Sequence, residues 1–252
     1  MKKNLLLLLG LLTILNFNIY ANGQKEANVL TVASNCEWPP LEFVDANGDL
    51  AGFEIELLAA LETVTDYKFE VTNVAWDGIF AGLANGAYDL VASGVSVTEE
   101  RKPKMDFSTP IIEITQSIIA PTDETGLKKL NELKNKKIGV QIGTTGHIVL
   151  LDNEDLNIEI KAYDNVALAI EDLINGNLDG VVTDSVVASD YVVLNDGYKD
   201  KIKITGIASD EKEPIAMAFK KGNSETLKIV NDGLQALEDN GELAKLKAKW
   251  NL

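Results

Sequence analysis

Between Ser93 and Pro110 the chain reads SGVSVTEERKPKMDFSTP, a set of residue types suited to gripping a small zwitterion. Arg101 offers a planar fork of N–H donors that matches a carboxylate bidentately. Ser93, Ser96 and Thr98 supply hydroxyls, and Gly94 supplies a flexible backbone. Small hydroxyl residues and exposed carbonyls suit an ammonium group. One short stretch therefore has the chemistry to hold both ends of an α-amino acid. An arginine on a loop is most often merely solvated, and Gly94 also reads as an ordinary turn glycine, so the rest of the chain must agree. Gly143-Thr144-Thr145-Gly146 joins a predicted strand to a predicted helix, where free backbone N–H groups favour an anion. A nucleotide phosphate fits that turn poorly, because no glycine-rich loop with a lysine is present. Asp184 follows another predicted strand, at a position that also reads as a helix N-cap. Trp38 precedes Pro39-Pro40 and Trp76 precedes Asp77-Gly78, placing both in loops, although tryptophan more often packs in a core.

The elements that must position these residues alternate between strand and helix. Val29–Ala33, Lys68–Val74 and Asp89–Ala92 read as strands. Gly52–Thr65, with Phe53, Leu57, Leu61 and Val64 on one face, and a short segment from Ile79 to Gly86 read as helices. After the apolar stretch Pro110–Ala120 and the break Pro121–Thr125 the alternation resumes. It predicts helices at Leu127–Leu133, Thr144–Leu151, Val166–Ile174, Ser185–Leu194, Ser224–Asp239 and Glu242–Trp250. It predicts strands at Lys137–Ile142, Asn157–Ala162, Leu178–Val182, Lys201–Ile207 and Ile215–Phe219. Such alternation implies α/β architecture with mostly parallel sheets, here as two similar units. Open α/β sheets bind ligands beyond the carboxyl ends of their strands, so two facing units would bind in the cleft between them.

The chain has 252 residues with 46% hydrophobic content and a net charge of −16. Such an acidic surface repels nucleic acid and anionic lipid, which excludes both as partners. Lys2 and Lys3 followed by the apolar run Leu5–Leu15 read as a secretion signal, with cleavage expected after Ala21. That run is shorter than the ~20 residues that cross a bilayer comfortably. No cysteine follows it where a lipid anchor would attach, so a soluble exported protein is expected. Cys36 is the only cysteine and His147 the only histidine, which predicts no disulfide, no metal site and no cofactor.

The chain closely resembles the periplasmic amino-acid-binding proteins, the type 3 solute-binding family of ABC importers. The motifs VASNCEWPPLEF, GFEIELLAAL, WDGIFAGLANGAYDLVASGVSVTEER, DFSTP, IGVQIGTTG, VVTDS and KKGNSETL occur in the family's order, from Val29 to Trp250. The resemblance implies two Rossmann-like α/β lobes joined by a two-strand hinge, the fold of periplasmic binding proteins of type II. Residues 28–119 with 211–252 would form lobe 1 and residues 120–210 lobe 2, with crossings near Ile119–Pro121 and Ala208–Glu213. Arg101 would clamp the ligand α-carboxylate, aided by Thr144 and Thr145 from the other lobe. Ser96 would touch the head group, while the carbonyls of Ser93 and Gly94 and the carboxylate of Asp184 would meet the ammonium. Trp38 and Trp76 would stack on the ligand side chain, suiting a flat amide or guanidinium. Gln141 would point to the side-chain end of the pocket. Asn35 stands where members that bind cationic side chains often carry an acid, and Leu41 where phenylalanine is common. Trp250 and His147 would pack locally. The implied partners are an L-amino acid with a polar or basic side chain and a membrane permease, for a protein expected to be a monomer.

A competing expectation is an enzyme on the same scaffold, similar to cyclohexadienyl dehydratases. That chemistry needs a general acid held in the cleft, and Glu37 is the candidate. A receptor's sensor module is a third reading, disfavoured by the lack of a second apolar segment before Leu252.

Overall fold

The computed structural model describes residues 28–195 and 197–252, and the expected leader at 1–21 lies outside them. The chain begins with β1 (Asn28–Ser34) and passes through a small antiparallel sheet of β2 (Glu37–Trp38), β3 (Glu42–Val44) and β4 (Leu50–Ala51). Next come α1 (Phe53–Val64), β5 (Tyr67–Asn73), α2 (Ile79–Asn85), β6 (Leu90–Val91) and β7 (Met105–Phe107). The second run holds β8 (Ile112–Pro121), β9 (Lys137–Gln141), α3 (Thr145–Leu151), β10 (Glu159–Tyr163), α4 (Val166–Ile174), β11 (Gly180–Asp184) and α5 (Ser185–Ser189). The chain closes with β12 (Ile202–Ile215), β13 (Ala218–Lys220), α6 (Ser224–Asp239) and α7 (Glu242–Lys249).

These elements build two α/β lobes, each around a five-stranded sheet. The first has the order β5-β1-β6-β13-β7 and the second β10-β9-β11-β8-β12. In both, four strands run in one direction and a single strand, β13 in the first and β8 in the second, opposes them, so two pairings are parallel and two antiparallel. The mostly parallel expectation thus holds for strand direction, while half of the pairings are antiparallel. The antiparallel half consists of long-range returns, which local periodicity cannot reveal. Apolar faces drive the packing: Phe53, Leu57, Leu58 and Leu61 of α1 and Val166, Ala169, Ile170 and Leu173 of α4 are buried against their sheets.

The chain changes sheets between Phe107 and Ile112 and returns between Ile215 and Ala218. The crossings expected near Ile119–Pro121 and Ala208–Glu213 fall inside paired strand instead. β8 and β12 pair antiparallel from Ile112↔Ile215 to Pro121↔Ile202, which assigns 112–119 and 211–215 to the second sheet. Backbone pairing explains the shift, because β12 stays paired to β8 on both sides of the charged bulge Asp210–Lys212, at Ser209↔Gln116 and Glu213↔Ile114. For the same reason the strands predicted at Lys201–Ile207 and Ile215–Phe219 are recut as β12 and β13. The helix predicted at Ser185–Leu194 is a short α-helix that passes into a π-helical turn, and Leu127–Leu133 keeps only a 3₁₀ turn at Leu130–Leu133.

Candidate functional site

The pocket between the lobes is lined by Asn35, Trp38, Trp76, Ser93, Gly94, Ser96, Arg101, Gln141, Thr144, Thr145 and Asp184. The structure therefore brings together every site residue expected from the sequence. Most lie at the carboxyl end of a strand: Asn35 follows β1, Ser93 to Ser96 follow β6, and Thr144 and Thr145 follow β9, while Trp38, expected in a loop, ends the two-residue β2. Gln141 and Asp184 are the last residues of β9 and β11.

Arg101 is held on the first lobe by a turn in which its own N–H donates to the Thr98 carbonyl at 3.1 Å. Its guanidinium is buried and lies over the rings of Phe80 and Trp76, 5.0 and 5.8 Å from their centroids. One terminal nitrogen donates to the Ser96 carbonyl at 3.0 Å, and the other crosses the cleft to the Gly143 carbonyl at 3.2 Å. Gly143 reaches that position with φ of +71°, a conformation glycine adopts freely. Burial pulls the Arg101 ionisation down, while the carboxylates of Asp184, Glu213 and Glu100 act to keep it charged.

Asp184 sits at the N-cap position of α5, yet its side chain makes no capping hydrogen bond. One carboxylate oxygen accepts from Gln116 Nε2 at 2.7 Å and the other from the Trp38 indole N–H at 3.1 Å. Burial, reinforced by the charge of Glu213, raises its ionisation to about 7 despite those hydrogen bonds and Arg101.

Three further contacts cross the cleft. The Ser96 and Thr145 hydroxyls are 3.5 Å apart, Gln141 Nε2 is 3.4 Å from Asn35 Oδ1, and Asn165 Nδ2 is 3.4 Å from Glu37 Oε1. Thr144 caps α3 by accepting from the His147 N–H at 3.3 Å, and its hydroxyl donates to the Gln141 carbonyl at 2.9 Å. His147 stays local, accepting from the Gly143 N–H at 3.1 Å. Trp250 packs edge-on against Phe43, away from the cleft. Glu37 is exposed and does not line the pocket.

Two residues behind the pocket were not anticipated. Gln116 in β8 is fully buried and bonds Thr145, Asp184 and Glu213 through one amide nitrogen, at 3.1, 2.7 and 3.1 Å. It shares the alternating face of Ile112, Ile114, Ile118 and Ala120, so a polar residue at inward parity was the available signal. Glu213 lies in a charged run that reads as an exposed turn and offers no such signal.

The family model for bacterial extracellular solute-binding proteins, family 3, matches residues 30–252. A probable histidine-binding protein of Neisseria gonorrhoeae is 38% identical, over 91% of this chain and 85% of that protein. The solved structure of an ancestral arginine-binding protein bound to arginine superposes with a TM-score of 0.84 at 37% identity, covering 88% of this chain and 98% of that one. An ancestral amino acid-binding protein, a precursor of cyclohexadienyl dehydratase, superposes with a TM-score of 0.78 at 32% identity, covering 88% and 95%.

Proposed function

Because this chain belongs to the bacterial extracellular solute-binding proteins of family 3, we propose that it captures an L-amino acid with a polar or basic side chain between its lobes. It then delivers that ligand, unchanged, to the membrane permease of an ABC transporter. The observation that carries this reading is a buried arginine and a buried aspartate lining one pocket. Two charges of opposite sign in a closed site complement the two ends of a zwitterion. Arg101 keeps N–H donors beyond the two given to carbonyls, and these suit the α-carboxylate. Asp184 suits the α-ammonium. At the other end Gln141 Oε1 is a buried acceptor without a donor, and Asn35 lies beside it. An acceptor-rich end favours a side chain that donates, such as a guanidinium, an imidazole or an amide.

Residues 28–111 with 216–252 and residues 112–215 serve as the moving lobes, and ligand contacts to both favour the closed form. Export by the N-terminal leader and action as a monomer complete the reading. Glu37, the acid required by the enzyme alternative, is exposed outside the pocket, which supports capture without chemistry. Titration calorimetry on refolded protein, freed of carried-over ligand, tests the reading against the standard amino acids. Binding of arginine, histidine or glutamine is expected. No heat with any amino acid, together with phenylpyruvate release from prephenate, would reverse the assignment.

A further inference from the structure

Behind the Ser93–Gly94 wall of the cleft lie two carboxyl groups that do not line the pocket. Glu42 in β3 and Glu54 in the first turn of α1 are both fully buried. One oxygen of Glu42 accepts from the Ser93 hydroxyl at 3.1 Å, and that hydroxyl oxygen accepts from the Asn35 N–H at 2.9 Å. One oxygen of Glu54 accepts from the Gly94 N–H at 2.5 Å. The remaining oxygens, Glu42 Oε2 and Glu54 Oε1, are buried with no donor from any other described residue. The two carboxyls are within hydrogen-bonding reach of each other, and the other titratable group that acts on Glu42 is the Cys36 thiol. Among the described residues, the groups that act most strongly on the pair are the two carboxyls themselves, Ser93, Cys36 and the Gly94 N–H, none of them cationic.

Two adjacent carboxylates in a dry interior cannot both ionise without a cation. A single proton between the free oxygens satisfies both groups, donated by Glu42 and accepted by Glu54. The Gly94 N–H and the start of α1 favour the charge on Glu54. We propose that Glu42 and Glu54 share this proton as a positioning pair that fixes Ser93 and Gly94, and through them Trp38, for ligand capture. Gly94 has φ of +55°, and a Cβ built there would lie 2.9 Å from Trp38 Cδ1, so the placement of Gly94 sets where the indole can lie. Burial holds the Glu42 carboxyl well above the usual range and also raises Glu54, in keeping with a retained proton. The functional part of this inference rests on the proposed amino-acid capture.

Amide substitution tests the pair. In E42Q the new N–H takes the proton's place toward Glu54, while the amide oxygen still accepts from Ser93. In E54Q the amide donates to an ionised Glu42 and its oxygen still accepts from Gly94. In E42Q/E54Q two NH2 groups face each other, and flipping the amide at position 42 to relieve this strands the buried Ser93 hydroxyl proton without an acceptor. Each single variant is expected to bind arginine, or whichever amino acid calorimetry selects, within about threefold of wild type, and the double to lose more than about tenfold or fail to fold. The folded-state ionisation is raised, so the pair's stabilisation is present at low pH and lost as pH climbs through the raised range. Wild type should lose Tm and affinity with rising pH beyond the Tm loss that Asp184 gives both proteins, and E42Q should show the Asp184 part alone. A double variant that binds like the singles, a single that fails like the double, or an unchanged alkaline loss in E42Q would each overturn the proposal. Should wild type bind no amino acid, the capture reading falls, while the same melting profiles still judge the shared proton.

Discussion

Asp184 illustrates how one buried side chain couples capture to pH. Its carboxylate is 3% exposed, and its ionisation in the folded protein is raised to about 7 by burial and by Glu213. For the free protein, stability from this group is fully present below its unfolded value and is lost as pH rises through about 7. Ammonium capture requires the ionised form and therefore moves in the opposite sense. Affinity should weaken by up to about tenfold per pH unit below about 7, because the proton competes with the ligand. Calorimetry across that range checks this, with Asp184→Asn binding weakly and losing the dependence. A flat wild-type profile would remove Asp184 as the ammonium partner. Trp38 and Gln116 matter here because their N–H donors hold the carboxylate in place and limit how far burial raises its ionisation.

At the scale of elements, the sequence was most legible where local chemistry terminates a segment. The bounds of α4 and α6 follow from the sequence because Asn165 and Asn223 cap them, accepting from the N–H groups of Leu168 and Thr226. The pocket was legible because its residues follow strand ends, the positions an open α/β sheet presents to a ligand. What escaped was either long-range, as is the pairing that draws Asp210–Glu213 into β12, or too short to show a period, as are the two- and three-residue strands β2–β4, and Gln116 lay hidden in an apolar run. Element packing also makes a prediction. Gly146 lies in α3 against Gln116, and a Cβ there would sit 2.7 Å from Gln116 Oε1 and 3.2 Å from Val182 Cγ1. Gly176, with φ of +76°, faces open space. Gly146→Ala should displace Gln116 and so disturb Asp184, costing about 1–3 kcal/mol of binding as well as stability. Gly176→Ala should cost about 1–2 kcal/mol of stability through backbone strain and leave affinity unchanged. Paired thermal melts and titrations separate the two. Equal effects on affinity would mean that α3 does not act through Gln116.

At the scale of the whole molecule, the two crossing segments are tied to each other, and the returning one also to the loop that carries Ser96, through Val97 N–H to the Pro214 carbonyl at 2.8 Å and Ala216 N–H to the Val95 carbonyl at 3.0 Å. Ser108 N–H donates to the Met217 carbonyl at 2.9 Å, Met217 N–H to the Ser108 hydroxyl at 3.1 Å, and Ile111 N–H to the Ile215 carbonyl at 2.8 Å. Relative motion of the lobes must therefore rotate about this paired strip while the cleft contacts break. Among the described residues, the side-chain hydrogen bonds that span the cleft join Trp38 to Asp184, Arg101 to Gly143, Ser96 to Thr145, Gln141 to Asn35 and Asn165 to Glu37. All but the last are largely buried in the closed form, but opening exposes their groups to water, which replaces the partners at little net cost, so they favour closure only weakly. A ligand that bonds to both lobes shifts the balance by its differential affinity for the closed form. The tryptophans make this shift visible, because Trp38 and Trp76 line the cleft while Trp250 bonds Glu56 and packs on Phe43 outside it. Adding the amino acid selected by calorimetry should change the intrinsic emission, and Trp250→Phe should keep that change at full amplitude. An emission change that disappears with Trp250 would instead place the ligand outside the cleft.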